Sequence, residues 1–441
     1  MGNDVKALIN ERIKEIKRRD NIYTIGRVSK ISNYVLEVSG LDNVAFFEEV
    51  TVGDKNIAYV AGIEANYIIV IVVKQFSQIH VGDEVLASGK EFMAKFSEAS
   101  LGKIVDMFGK DKMKNLDFVD SISLPLEERC TPIMDRKAVN RPLKTGIAGI
   151  DMLYPIGKGQ RQLIIGDKKT GKTQIALDAI ANQKDEDIIC VYCAIGKTKK
   201  EIREVQYELM RHKAIDNTII ICALNDELTP VLSLTPYAAL AIGEHYLKQG
   251  KDVLVVIDDL KRHADAYREI ALMTDRAPGR EAYPSDIFYV HARLLEKGCQ
   301  HSNGGSITIL PIVETKTADI TDYISTNIIS ITDGQIVLSK KNFDKGQRPA
   351  IDYGLSVSRL GGAVQSKRMK KLGASIRRQL LAYMEKRDVY ELANMDEMSP
   401  EIRRTIEHGQ TILSNLNQYK FEPKNENDIV EKFKELVEDN N

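Results

Sequence analysis

Tryptophan is absent from the 441 residues. Together with the weight of Ile, Lys and Asn, that absence points to an AT-rich coding sequence and carries no information about fold. Excess charge is missing too. There are 62 Lys and Arg against 63 Asp and Glu, a net charge of -1, so no global bias draws the chain to nucleic acid or to an anionic membrane surface. Cysteine is scarce, odd in number and scattered (Cys130, Cys190, Cys193, Cys222, Cys299), which argues against a disulfide framework. Two of these form a C-x-x-C, but they lie in the apolar run 187–194, where alternation puts them on opposite faces of a strand. They read as small core residues. No apolar run is long enough to cross a bilayer. The most apolar stretch, Tyr67 to Val73, has seven residues rich in β-branched side chains. No signal-peptide pattern is visible, and Met1-Gly2 is not followed by Ser or Thr at position 6, so the myristoylation pattern fails. A cytoplasmic protein is expected, one that meets a membrane only through partners.

The length allows two to four domains. Residues 1–21 place Val5, Leu8, Ile9, Ile13 and Ile16 on one face of a helix. That face serves either the chain's own core or a docking partner. Residues 22–91 change to short alternating runs separated by turn signals such as Ser39-Gly40, Gly53-Asp54 and Gly82-Asp83. This predicts a small, six-stranded-type β-barrel. Over 92–365, apolar strands alternate with helical stretches, the pattern of a mostly parallel α/β domain. Residues 366–441 are helical and charged, with an apolar stripe at Leu372, Ile376, Leu380, Leu381 and Met384.

The strongest chemical signal is Gly166-Asp167-Lys168-Lys169-Thr170-Gly171-Lys172-Thr173, which fits G-x-x-x-x-G-K-[ST]. A strand-like run precedes it, and a helical run opening with Gln174 follows it. That setting separates a phosphate-binding loop from a Gly- and Lys-rich surface turn. Backbone N–H groups of the loop and the helix start can surround a phosphate. Lys172 can reach the terminal phosphate oxygens, and the Thr173 hydroxyl can ligate Mg²⁺. Downstream, the apolar run Val253 to Ile257 ends in Asp258-Asp259. A carboxylate at that point can hold the Mg²⁺ through a water. The role is assigned to Asp258, while Asp259 reads as turn chemistry.

Further motifs sharpen this. Thr145 to Asp151, then Pro155 to Arg161, resemble the approach to the nucleotide loop in rotary ATPases, and Ala277 to Pro284 and Ile331 to Ile336 add to it. Arg348-Pro349-Ala350-Ile351 and then Gly354 to Arg359 resemble the alpha subunit of F-type ATP synthases, not the beta subunit. The resemblance runs from about residue 4 to about residue 420. It implies a RecA-like nucleotide-binding domain between the barrel and the helical region, and an alternating hexamer with beta-type catalytic chains around a central shaft, coupled to proton transport. It also implies ATP or ADP with Mg²⁺, and an arginine finger, here Arg359, lent to the neighbouring catalytic site. The base is implied near Phe343, Arg348 and Pro349, with Gln418 matching one of two glutamines of that pocket. The other falls at Leu416. The amino-terminal helix matches the segment that docks the peripheral-stalk or delta-type subunit.

Departures from the family pattern matter. Catalytic chains carry Glu after the Gly that ends the next strand, and alpha chains carry Gln. Here the stretch is Gly196-Lys197-Thr198, and a protonated Lys cannot accept a proton from water. The chain's own site is therefore expected to bind Mg-ATP and to hydrolyse it poorly. Lys168 and Lys169 replace an Arg-Gln pair. The carboxyl end is short against the family pattern, with only 427–439 available for a last helix. One alternative is a paralogous alpha-like subunit of an ATP-driven motor not coupled to protons. A homohexameric flagellar or type III secretion ATPase would need its own catalytic Glu. A Rho-like RNA translocase would need a basic strip around Tyr34, Phe46, Phe47, Tyr59 and Tyr67, and no such strip is present.

Overall fold

The computed structural model describes residues 24–317, 319–390 and 399–438. The helix expected at 1–21 lies outside them. The described chain forms two compact units, 24–93 and the remainder apart from 272–276.

The first unit is a closed barrel of six antiparallel strands: β1 (Ile25–Ser32), β2 (Val35–Ser39), β3 (Glu48–Val52), β4 (Asn56–Ile63), β5 (Ile68–Lys74) and β6 (Glu84–Glu91), in the order β1-β2-β5-β4-β3-β6. Alternation drives its closure. Val28, Val38, Val50, Val60, Val70 and Val85 all point inward and are buried, and a closed sheet leaves no edge unpaired. The Glu48 carboxylate is buried but accepts hydrogen bonds from the Ala45 and Gly89 N–H groups at 2.9 and 2.7 Å, which offset its loss of water. Tyr34, Phe47 and Tyr59 belong to the barrel core, with the Phe47 and Tyr59 rings 5.0 Å apart. Of the five aromatics considered as an RNA platform, only Phe46 and Tyr67 are exposed.

The second unit is built on a parallel sheet. Its central strands are β7 (Leu163–Asp167), β8 (Ile188–Lys197), β9 (Thr218–Leu224), β10 (Asp252–Asp258), β11 (Ser306–Thr315) and β12 (Gly334–Leu338), in the order β9-β8-β10-β11-β7-β12. A short β13 (Val357–Ser358) pairs antiparallel on β12. The strands are apolar along their length because both faces are covered. Cys190 and Cys193 are free, fully buried strand residues. Chain order and spatial order part company after β7. The chain leaves it through helix α1 (Lys172–Ala181) and enters β8, with β10 and β11 lying between the two strands. Such a switch opens a crevice at the carboxyl ends of the strands, where open α/β sheets bind ligands.

Three helices follow: α3 (Lys367–Tyr390), α4 (Pro400–Leu416) and α5 (Glu426–Glu438), with α2 (Lys199–Arg211) placed earlier, between β8 and β9. Leu372, Ile376 and Leu380 are buried, as their four-residue spacing predicts, and Met384 packs partly buried against them. Leu381 departs from that expectation. It is 39% exposed, because it follows Leu380 by about 100° around the helix and falls off the stripe. Ile412, Leu416, Ile429 and Phe433 join the same core as Ile164, Ile175 and Ile336 of the sheet domain, so the helices and sheet share one hydrophobic interior.

The contact between α3 and α4 depends on Gly409. A Cβ there would lie 2.2 Å from the Tyr383 ring, inside any allowed contact. Gly409→Ala is expected to lower stability by about 1–3 kcal/mol through overpacking, read as a lower denaturant midpoint. A midpoint equal to wild type would show that the ring moves aside freely.

Candidate functional site

Strand β7 ends at Asp167 and α1 begins at Lys172. The turn between them needs left-handed backbone at Lys169 (φ 64°) and at Gly171 (φ 100°), and glycine meets that need at the helix cap without strain. No side chain caps α1, so its first N–H groups remain directed into the loop's hollow, as an anion site requires. The loop is braced from below. The Thr170 hydroxyl and the Lys172 ammonium both donate to the Asp167 carbonyl, at 2.8 and 2.6 Å. The Thr315 hydroxyl donates to the Asp167 carboxylate at 2.7 Å. Lys172 is buried, and burial pulls its ammonium below the usual lysine range. Glu314 lies 4.0 Å away as partial compensation. Gln174, in the first turn of α1, donates to Asp178 at 2.8 Å. Lys168 and Lys169 are exposed on the loop.

Asp258 closes β10 and is 1% exposed. Its Oδ2 accepts from Thr173 Oγ1 and from the Tyr192 hydroxyl, both at 2.7 Å. Its Oδ1 faces the Lys197 ammonium at 2.8 Å. Burial alone would lower the Lys197 pKa, but the Asp258 charge overrides it and the net displacement is upward. Lys197 reaches this point because β8 outruns β10. Their pairing stops at Ala194 opposite Asp258, and Gly196 (φ 63°) then bulges so that Lys197 follows Ile195 one step along β9. Asp259 is buried beside it and accepts from the Lys261 and Glu314 N–H groups, at 2.6 and 3.1 Å. Burial first, and then the neighbouring Asp258 charge, push its carboxyl up to about 7.

The residues expected around the base sit past the carboxyl end of β12. The Arg348 guanidinium lies 3.6 Å from the Phe343 ring centroid and donates to the Phe343 carbonyl at 2.6 Å. Pro349 follows through a cis peptide. Gln418 reaches this group through its backbone, its N–H donating to the Arg348 carbonyl at 2.7 Å. Its side chain is engaged elsewhere. The amide donates to the Gly146 and Glu422 carbonyls at 2.7 and 2.6 Å and accepts from the Ala148 N–H at 3.0 Å. Leu416 is buried in the core.

Arg359 is at the other end of the sheet. Its N–H donates to the Asp333 carbonyl at 2.9 Å, just before β12 begins, whereas the phosphate loop is level with Leu338 at that strand's far end. Five strand residues separate those levels, roughly 15 Å. Asp333 is clamped by Arg161 through two side-chain hydrogen bonds of 2.9 and 2.8 Å. The Arg359 side chain is exposed, and its guanidinium has no partner among the described residues.

Comparison with known proteins agrees with this geometry. Residues 146–358 match the nucleotide-binding domain of the ATP synthase alpha/beta family. The chain is 40% identical to the ATP synthase subunit alpha of Macrococcus caseolyticus (strain JCSC5402) over 425 residues, which is 96% of this chain and 84% of that one. The chain belongs to the ATP synthase alpha/beta family, on its alpha-subunit side.

Tyr192 and Glu314 were not legible as site residues in the sequence. Tyr192 sits within an apolar strand, and only the parallel register of β8 against β10 brings it to Asp258. Glu314 lies two strand positions past Ile312, opposite Gly166, a pairing that sequence order does not reveal. Among the described residues no helix is long and apolar enough to cross a membrane.

Helix α1 is also tied to the carboxyl-terminal region. The Asp178 carboxylate accepts from the Phe421 N–H at 2.9 Å and from Gln174 at 2.8 Å, both on Oδ1. Burial nevertheless pushes its carboxyl up to about 6 from an ordinary 3.8. A raised acid favours the folded state when protonated, so this contribution is full below about pH 3.8 and fades as pH rises through about 6. Asp178→Asn keeps an acceptor for both donors and removes the titration. The variant is expected to gain thermal stability over wild type at pH 7–8, with the gap closing as pH falls toward 4. A gap independent of pH would contradict this account.

Proposed function

We propose that this chain is a nucleotide-binding, non-hydrolysing alpha-type subunit of a rotary ATPase. In this reading it alternates with beta-type catalytic chains in a hexamer around a central shaft and, through residues 1–21, meets a peripheral-stalk subunit. Proton transport through the membrane partners of the complex is the coupled process. The observation that carries the reading is the position of Lys197. It ends the strand that pairs with β10, at the position where a catalytic chain needs a carboxylate, and its ammonium is held by Asp258 at 2.8 Å. An ammonium has donors only and cannot take a proton from an attacking water. The same position argues against a self-sufficient homohexameric ATPase.

The loop 166–173, with Lys172, takes the phosphates of ATP or ADP. Phe343, Arg348 and Pro349 border the base, and Gln418 holds the segment beside it. Thr173 Oγ1 and Asp258 Oδ2, 2.7 Å apart, are a hard oxygen pair suited to Mg²⁺, with Asp258 acting through a water. Among the described residues no group of three or more His, Cys, Asp or Glu could hold a metal, so the nucleotide's own oxygens would complete the coordination. Bound there, Mg²⁺ neutralises charge on the terminal phosphates.

Arg359 acts on the neighbouring catalytic site. Its distance along the sheet from its own phosphate loop supports a role in trans, and the Asp333–Arg161 clamp holds its backbone for it. A guanidinium so placed stabilises charge developing on the transferred phosphoryl group.

Two substitutions test this. Lys172→Ala in the isolated full-length chain is expected to abolish ATP binding measured by calorimetry. Arg359→Ala is expected to leave that binding unchanged, but to lower ATPase turnover of the complex with its beta-type partner by roughly 10³-fold or more. Ordinary turnover by the isolated wild-type chain would refute the non-hydrolytic assignment.

A further inference from the structure

We propose that the Lys197 ammonium is a built-in cation at Asp258, so that this site holds the terminal phosphates of a nucleoside triphosphate with little dependence on Mg²⁺. The inference rests on the nucleotide-site reading above and concerns what neutralises the phosphates there.

The argument begins with the acceptor capacity of one carboxylate. Oδ2 of Asp258 already accepts two hydroxyl donors, Thr173 and Tyr192. Oδ1 carries Lys197 at 2.8 Å. The carboxylate is 1% exposed, whereas the Lys197 side chain is 24% exposed. The lysine therefore lies at the seam between a buried anion and an open cleft of about 750 Å³ lined in part by Thr173, Gln174, Tyr192 and Lys197. An ammonium has three donors. One is directed at Asp258, which leaves two for phosphate oxygens entering from the cleft.

Charge points the same way. A dication at Thr173 and Asp258 gains attraction from the Asp258 carboxylate only in so far as that charge is free. Here it is already paired at contact distance, and a second positive charge drawn to the same group meets repulsion from the first. Lys172 opens α1 at the loop and Lys197 ends β8, both at the carboxyl ends of the parallel strands. The Gly196 bulge is what puts the second in place. Without it, Lys197 would fall one step further along β9 and share the face of Ile195, opposite to that of Tyr192 and Ala194.

The test is an ATP titration of the purified full-length chain, in saturating Mg²⁺ and again in excess EDTA, for wild type, Lys197→Gln and Lys197→Arg. Wild-type affinity is expected to change by less than about threefold on chelation. Lys197→Gln is expected to lose about tenfold or more in EDTA and to recover most of it with Mg²⁺, a difference on the scale of one charge-assisted hydrogen bond. Lys197→Arg keeps the charge and is expected to stay metal-tolerant, so the result does not hang on one variant folding. A wild-type affinity that collapses in EDTA as far as that of Lys197→Gln would overturn the proposal and leave the nucleotide site standing. Absence of ATP binding by wild type in both conditions would overturn both.

Discussion

The buried carboxylate of Asp258, at the end of β10, ties together the phosphate loop and β8, which lie far from it in the chain. Thr173 comes from the phosphate loop, Tyr192 from the middle of β8 and Lys197 from its end, and all three converge on this one group. A carboxylate stripped of water costs several kcal/mol unless donors replace its hydration. The two hydroxyls and the ammonium are that replacement. The loop, the end of β8 and the end of β10 are therefore held in register by a single electrostatic requirement. Lys197 meets the same requirement, since its ammonium pairs with the buried charge at 2.8 Å.

The parallel sheet divides the remaining roles between its two ends. At the carboxyl ends of the strands lie the phosphate loop, Asp258, Lys197 and the segment leading to Phe343. At the amino end of β12 lie Asp333, its Arg161 clamp and Arg359. One rigid element thus separates what the chain binds for itself from what it presents outward. The barrel contributes no chemistry of this kind. Tyr34, Phe47 and Tyr59 fill its interior, and only Phe46 and Tyr67 of the five aromatics considered as a stacking surface face outward.

Much of the fold was legible because the signals are local. The barrel strands, the parallel strands and the helix after the phosphate loop each announce themselves by period and by turn residues. The phosphate loop and Asp258 were legible for the same reason, being short motifs with the right flanks. Tyr192, Glu314 and the committed side chain of Gln418 were not. Each depends on a pairing between strands or segments whose separation in sequence carries no local mark. Leu381 shows the reverse fault: a stripe drawn slightly too wide takes in a residue that the helix turns outward.

The sequence by itself determined the ligand class and the family, and it put a lysine at position 197. The phosphate loop and the acidic strand are each written in consecutive residues, and the chemistry of both, and of Lys197, follows from residue type. Only the tertiary structure decided what Lys197 touches and where Arg359 lies relative to the phosphate loop. The first depends on one strand outrunning its neighbour and bulging at Gly196. The second depends on the parallel sheet placing residues 166 and 359 at opposite ends. Both are facts of register, which backbone pairing sets across the whole sheet and no single segment contains.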